Sequence, residues 1–570
     1  MGETVTRYDD DMTRIMQDPA LWAEYHLKQK PRWYQEQILR HPHNRIVLRC
    51  GRRLGKCIEG SQRILNADTG AYESVASLYE KQIKHTPLYS LQEDYTFAKT
   101  KSFFIEDNGI KPVFRVQVKH GAEVVLTGNH PVLTIDGWKE VDALRVGEFI
   151  AVPKSLPVFG KDSPGLNRAK MAGYLVGGLT QTKKGPILNI SAKEVVPVIA
   201  KTAAEVGVSI HKKTDQNYFF HDQEKQFLEL IEEKETGLPK EIFTYDKTHL
   251  AVFLAALYDT NGWAYKERIA EIGYGSRNHE QIKEIKHLLL RFGIDANIVR
   301  RILAEKPYYQ LMIYAKKQVI SFVDQIGLYA AKDYSEVKAF AETMSERETT
   351  LPPKIWEYIE KERVAKGMKK YEVTGNKAEK FRKNVGLTEE KAKRYAENLQ
   401  YPFLYDLARS DIYWEEVISI VPEGEKQTYD VFVPETHNLI VEDILVHNTW
   451  TMVAHMLWVA FTCNGGKDPR GATCVVATPY DTQARLIYNE LTKFIDENEV
   501  LSSSVKSRTK NPYFIEFNNG SQIKLFTAGT KSGSGGGSLR GQKATWLYMD
   551  KALSLYAVMR TEKLCEFKET

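Results

Sequence analysis

Hydrophobic and polar positions fall into three textures along the chain. From residue 57 to about 155 short apolar stretches are separated by turns, at Phe114 to Val118, Glu123 to Leu126, Pro131 to Thr134 and Glu148 to Pro153. The same texture returns from 415 to 446, with Tyr429 to Val433 and Leu439 to Val441. Runs of this length predict strands, and the two stretches together predict a small all-β domain whose ends close on each other. Between them, residues 165 to about 410 read as helical and charged. That stretch holds two related segments, Met171 to Gly178 and Leu250 to Gly262, which predict an internal duplication.

The flanks differ. Residues 1 to 56 hold an amphipathic start, the segment Trp33-Tyr34-Gln35 and a strand at Ile46-Val47-Leu48 leading into a glycine loop. Beyond Thr449 an apolar helix, Trp450 to Phe461, precedes a buried strand at Ala472 to Thr478 and a turn at Pro479-Tyr480-Asp481. A helix follows, then a hairpin around Asn518-Asn519-Gly520, a Gly/Ser-rich loop at Lys531 to Ser538, and the apolar run Trp546 to Met549 ending in Asp550. Strands alternating with helices after a phosphate-type loop predict a parallel α/β sheet.

At 570 residues the chain is too long for one core and predicts three or four domains. A net charge of +5 marks no overall polyanion binder, so any nucleic-acid contact must come from local patches. Five cysteines, Cys50, Cys57, Cys463, Cys474 and Cys565, make no paired framework, which fits a reducing compartment and leaves Cys57 a free thiol. The first residues are polar, and no apolar run approaches the roughly 20 residues of a membrane span. A cytosolic protein with no membrane partner is expected.

One motif is cut in two. Gly51-Arg52-Arg53-Leu54-Gly55-Lys56 is followed by Cys57 where a phosphate-binding loop needs Ser or Thr, and that residue stands at Thr449, after Val446-His447-Asn448. Joining Lys56 to Thr449 restores the loop. The interruption begins with Cys and ends with His-Asn before a hydroxyl residue, the groups a chain needs to excise itself. The chain therefore resembles an intein interrupting a phage DNA-packaging ATPase, the terminase large subunit.

Thr127-Gly128-Asn129-His130 before Pro131 is similar to the intein B block. Thr428 to Val433, His437-Asn438-Leu439-Ile440 and Val446-His447-Asn448 resemble the F and G blocks. The resemblance implies these roles: Cys57 attacks the Lys56 carbonyl, Thr127 and Asn129 polarise that bond, and His130 protonates its nitrogen. Thr449 then attacks the thioester, with Asp430 assisting or gating. Asn448 cyclises and releases the downstream chain, with His447 and His437 supplying protons or hydrogen bonds. Splicing of this kind acts on the chain itself and needs no ATP, metal or cofactor.

The repeated segments resemble the paired motifs of LAGLIDADG homing endonucleases, whose helices each deliver one acid to a metal at the DNA cleavage site. The matching positions are Gly178 and Asn261, neither of which is an anionic ligand, and Asp259 stands where the motif's structural acid sits. An intact helix pair without nuclease activity is implied; Mg²⁺ would enter only in an active nuclease, and double-stranded DNA is a partner through this domain. Lys361 to Arg394 is rich in basic residues interspersed with Tyr371, Phe381 and Tyr395, which reads either as a DNA-contacting module or as a solvated helical face.

In the ligated flanks, the terminase resemblance places Gln35, Arg52, Gly55, Lys56, Thr449 and Asp550 at an ATP site, with Thr449 and Asp550 toward Mg²⁺. Cys50 replaces the first glycine of the loop. Lys551 occupies the place of the catalytic Glu, so ATP turnover by the ligated product is not expected. The portal and the small terminase subunit are the implied partners of a complete terminase, and the host cytoplasm is the implied location of such a virus-encoded protein. The expected organisation is multidomain. An all-β Hint-type horseshoe (57–160 and 411–448) carries an inserted α+β LAGLIDADG-type domain (161–345) and a basic helical segment (346–410), all within an α/β P-loop ATPase fragment (1–56 and 449–570). Two alternatives are an active homing endonuclease and a P-loop ATPase with a non-splicing regulatory insertion.

Overall fold

The computed structural model describes residues 13–26, 40, 57–82, 87–92, 94–100, 104–182, 185–190, 193–214, 216–222, 227, 237–345, 350–379, 381–433, 436, 438–447, 451–464, 466–478, 481–496, 498–527 and 544–549. The chain divides into two compact units, Gly51–Asn448 and the combined flanks Met1–Cys50 with Thr449–Thr570. The division falls within a few residues of the two ends of the interruption.

The inner unit is organised by two long antiparallel strands, Phe104–Val118 and Ile412–Phe432, paired from Val118 opposite Val417 to Phe104 opposite Phe432. Each is longer than the sequence pattern suggests, because the apolar alternation stops where the strands leave the core. Beyond it, ion pairs such as Arg115 with Glu423 at 2.7 Å hold the ladder instead. Ile58–Glu59 pairs with both Glu123–Thr127 and the long C-terminal strand, Ile58 facing Leu126 on one side and Tyr429 on the other. At the other end, Ile444–His447 pairs with Asn438–Val441 and touches Pro131–Thr134 through Val446 and Val132. Ile58, Val116, Leu126, Val132, Val431, Leu439 and Val446 share one buried core, which draws the two ends of the domain together as expected.

The duplication is visible in the order of elements. Helix Leu166–Gly178 is followed by two strands, helix Val196–Glu205 and two strands; helix Lys247–Asn261 is followed by two strands, helix His279–Arg291 and two strands. Both four-stranded sheets have the order first, second, fourth, third. The leading helices pack through small residues: a Cβ on Gly173 would come within 2.3 Å of the Phe253 carbonyl oxygen, and one on Gly177 within 2.1 Å of Thr260 Oγ1. Glycine is required there by backbone approach.

The basic segment forms helices Ile355–Ala365, Lys370–Thr374, Glu389–Leu399 and Pro402–Arg409. Two of the three aromatics singled out in the sequence face into the protein at least in part. Phe381 and Tyr395 pack on Trp356, with ring centroids 4.8 and 6.0 Å from it, in a core shared with Leu133, Ala151 and Leu445 of the splicing domain. Tyr395 is buried there, while Phe381 is half-buried and also lines the cavity beside Tyr371. Tyr371 remains exposed, beside Lys370, Lys377, Arg382 and Lys383 around a cavity of about 800 Å³.

In the flanking unit Thr473–Thr478 lies between Gln522–Thr527 and Trp546–Met549, parallel to both. The Asn518-Asn519-Gly520 turn adds Tyr513–Phe517 antiparallel, and Val505–Lys510 follows at the edge. The sheet is therefore mixed rather than wholly parallel, because a tight turn can only join antiparallel neighbours. Trp22 of helix Pro19–His26 is buried with Leu457 and Trp458 of helix Thr451–Phe461 in the core of this unit.

Candidate active site

Cys57 is wholly buried, immediately before the strand Ile58–Glu59. Its peptide group is clamped by the turn that follows Glu123–Thr127. The Cys57 amide donates to Thr127 Oγ1 at 3.0 Å, and the Thr127 amide donates to the Cys57 carbonyl at 3.0 Å. His130 Nδ1 lies 3.2 Å from that same carbonyl oxygen. A carbonyl only accepts, so Nδ1 carries the hydrogen in this contact.

The clamp depends on a tight turn. The His130 amide donates to the Thr127 carbonyl at 2.9 Å, and the Asp142 amide donates to the Gly128 carbonyl at 2.7 Å. A Cβ on Gly128 would overlap the Asp142 carboxylate, its nearest oxygen only 2.0 Å away. Asn129 is half-buried in the same turn. Thr127 and His130 are thus brought to Cys57, with Asn129 in the turn between them.

Two further groups reach the sulfur, and the sequence did not single them out. Lys111 Nζ donates to Cys57 Sγ at 2.8 Å and Asn108 Nδ2 at 3.1 Å. Residues three apart on a regular strand face opposite sides. Here Gly109, at φ +71°, forms a bulge: Ile110 pairs with Gln427 but Asp107 pairs with Tyr429, leaving one extra residue on this strand. The bulge turns both donors toward one face. Asn-Gly inside a strand is the signal that could have marked it. Burial pushes the Cys57 thiol up, the Lys111 hydrogen bond draws it down, and the charge of Asp430 pushes it up again. Asp430, half-buried on the strand Ile412–Phe432, is therefore within electrostatic reach of the sulfur.

At the other terminus, His447 closes the strand Ile444–His447 and pairs with Asn438. The Asn438 amide nitrogen donates to the Leu91 carbonyl at 2.9 Å while its oxygen accepts from the Leu91 amide at 2.7 Å, which pins this hairpin to the N-terminal part of the domain. Arg63 binds Glu442 at the hairpin turn, its Nε 3.0 Å from Oε1. His437, Asn448 and Thr449 lie outside the described residues, as do Gln35, Arg52, Gly55, Lys56 and Asp550.

The model of the intein splicing domain matches residues 65–448, which run from the second strand of the inner unit to its last residue. The chain belongs to the intein splicing domain family. Its inner unit has the Hint-type fold, and its activity is autocatalytic protein splicing. The replicative DNA helicase DnaB of Rhodothermus marinus is 26% identical over 386 residues, 60% of this chain and 40% of the relative. DnaB of Synechocystis sp. is 25% identical over 446 residues, 71% of this chain and 51% of the relative. The chain thus spans about half the length of the curated relatives it matches or less. A solved variant of the Ssp DnaB mini-intein is 12% identical, with 69% of this chain and 99% of that chain covered and a TM-score of 0.24.

The intein's central domain holds Gly178 and Asn261 at the ends of its paired helices. A Cβ on Gly178 would lie 2.6 Å from the Asn189 carbonyl oxygen, and Asn261 Nδ2 donates to the Gly177 carbonyl at 2.6 Å. Asp259 is fully buried and accepts from the Ala331 and Lys332 amides at 2.8 and 3.0 Å. These residues do not fit a divalent cation: one has no side chain, one presents a donor, and the carboxylate is consumed by backbone amides.

Proposed function

We propose that this intein removes residues 57–448 and joins Lys56 to Thr449, restoring the phosphate-binding loop of a terminase-type DNA-packaging ATPase. The observation that carries the splicing-site reading is the Cys57 peptide, buried and held by Thr127 and His130. Cys57 Sγ adds to the Lys56 carbonyl carbon, the carbon–nitrogen bond breaks, and the nitrogen takes a proton from the His130 side. Thr449 Oγ1 displaces the thiolate to give an ester, with Asp430 assisting. Asn448 then closes on its own carbonyl and frees the downstream chain, His447 and His437 supplying protons, and an oxygen-to-nitrogen acyl shift leaves an amide. Burial of Cys57, Thr127 and His130 on one β scaffold supports the sequence through position, which can be worth effective molarities of about 10⁵ M or more.

The curated relatives are named for a replicative helicase. The terminase assignment rests instead on the residues flanking the splice points, Gln35, Arg52, Gly55, Lys56, Thr449 and Asp550. The parallel strands Thr473–Thr478 and Trp546–Met549 beside helix Thr451–Phe461 support an α/β ATPase setting. ATP and Mg²⁺ belong to that ligated product, and the portal and small subunit to a complete terminase in a host cytoplasm. Among the described residues no helix is long and apolar enough to cross a membrane.

The repeated helix–strand–strand units support a LAGLIDADG-type central domain. Its acid positions, Gly178 and Asn261, support loss of metal-dependent cleavage, with double-stranded DNA binding retained through basic surfaces.

Intact mass of the expressed chain tests the central reading. A ligated product and a free 57–448 segment ending in succinimide or Asn448 are expected. Full-length chain alone, after long incubation folded and reduced, would overturn it.

A further inference from the structure

We infer that Lys111, with Asn108 beside it, activates Cys57 by stabilising its thiolate for the first acyl shift. The inference rests on Cys57 being the splicing nucleophile and goes further, assigning chemistry to a strand residue outside the splicing blocks.

The geometry has three parts. Lys111 is almost wholly buried, at 1% exposure, although it carries a charge that water would solvate well. Nζ of this buried side chain lies 2.8 Å from Cys57 Sγ, close enough to favour the negative form of the sulfur. Second, the Gly109 bulge brings Asn108 Nδ2 to the same sulfur at 3.1 Å, so two donors converge on one atom that as a neutral thiol is a poor acceptor. Third, the arrangement is held on both sides: Thr428 Oγ1 donates to the Gly109 carbonyl at 2.8 Å, and the Gly109 amide donates to Asp107 Oδ1 at 2.7 Å. A bulge that aims two side chains is a functional device more often than a defect.

The chemistry follows from what faces the sulfur. Burial opposes the thiolate, as does the carboxylate of Asp430 on the opposing strand. His130, on the turn, meets the peptide rather than the sulfur. Among the described residues that reach the sulfur, Lys111 is the cation, and it offsets part of both penalties. The thiol proton leaves to water, the thiolate is held by the Lys111 ammonium and the Asn108 amide, and its lone pair forms the bond to the Lys56 carbonyl carbon. When that carbon–nitrogen bond breaks, the nitrogen takes a proton from the His130 side and Lys111 is left as it began.

The test uses the full chain carrying Thr449→Ala, in which ligation is blocked while thiol-driven cleavage at Lys56-Cys57 and cleavage after Asn448 can both be followed by mass. Lys111→Met is expected to lower upstream cleavage by dithiothreitol at pH 7 by about tenfold or more and to move its pH profile upward by about one pH unit, the two rates drawing together as pH rises. Lys111→Arg should keep most of the rate, and Asn108→Ala should move the profile in the same direction by less. Cleavage after Asn448, unchanged in Lys111→Met, verifies that the domain is folded. A Lys111→Met profile that is unshifted, or lowered equally at every pH, would overturn the assignment. Absence of thiol-driven cleavage in the parent with Lys111 intact would instead overturn the reading of Cys57.

Discussion

His287 Nδ1 lies 2.8 Å from Oδ1 of Asp443, joining the central domain to the turn that precedes the downstream splice junction. The direction of the bond is settled by the other ring nitrogen. Nε2 faces the Arg291 guanidinium at 3.2 Å, which can only donate, so Nδ1–H donates to Asp443. Burial lowers the tendency of His287 to take a second proton. Tyr72 stacks on the imidazole with centroids 4.0 Å apart. Glu442 and Asp443 both adopt positive φ, 46° and 60°, where a two-residue hairpin turn ordinarily carries Asn-Gly. Arg63 and His287 hold these two acids in a conformation they do not favour.

Removing that support is expected to loosen the hairpin ending at His447. His287→Ala leaves a buried carboxylate without its donor, a cost of about 1–3 kcal/mol. Amides of Asn438–Val441 and Ile444–His447 should exchange faster, and cleavage after Asn448 should slow by about tenfold while thiol-driven cleavage at Cys57 keeps its rate. Equal slowing of both cleavages would show that His287 supports the whole domain rather than this turn.

A second clasp is sensitive to pH. Burial opposes charge on His120, but hydrogen bonds to Asp295 and Glu415 outweigh it and hold its pKa up at about 10. A folded value above the unfolded 6.5 means that the stabilisation is complete below about pH 6.5 and disappears as pH rises through about 10. In a chain locked by Cys57→Ala and Asn448→Ala, His120→Gln should lower the melting temperature most at pH 6 and least at pH 10. A difference that grows with pH would contradict a protonated clasp.

His130, whose Nδ1 lies 3.2 Å from the carbonyl oxygen of Cys57, is the proposed proton donor to the Cys57 nitrogen, the leaving group of the first acyl shift. Loss of such a group in acyl transfer costs on the order of 10² to 10³ in rate, so His130→Ala should slow dithiothreitol-driven upstream cleavage by that much, and considerably more than His437→Ala does. Equal effects of the two substitutions would remove the division of labour between them.

Restoring acids to the central domain is expected to fail for a steric reason. Gly178→Asp forces a Cβ within 2.6 Å of the Asn189 carbonyl oxygen and 2.9 Å of Leu188 Cδ1. Asn261→Asp loses the donor to the Gly177 carbonyl and puts an acceptor against it. The double variant should melt at lower temperature and still show no Mg²⁺-dependent cutting of the uninterrupted gene. Site-specific cutting by the double variant alone would contradict the steric argument, and cutting by the unmodified chain would show that another acid has taken the metal role.

The residues that mark the interruption were legible because their signals are local. Cys57, His447-Asn448 and Thr449 sit at the broken phosphate loop, Thr127 to His130 lie within four positions, and each helix of the duplicated pair is a contiguous apolar segment. The sequence by itself carried the proposed splice boundaries, the β texture of the splicing domain and the Gly and Asn that stand at positions 178 and 261. Tertiary structure decided what depends on distant segments or on one inserted residue. Lys111 reaches Cys57 across 54 positions only because a bulge at Gly109 reverses the facing of a strand, and His287 meets Asp443 across 156. Phe381 and Tyr395 looked like surface aromatics among basic residues, and packed against or into the core because Trp356 and the outer face of the splicing sheet offered apolar area to bury. Periodicity records which side of an element is apolar; which other element covers it is settled only when the chain closes.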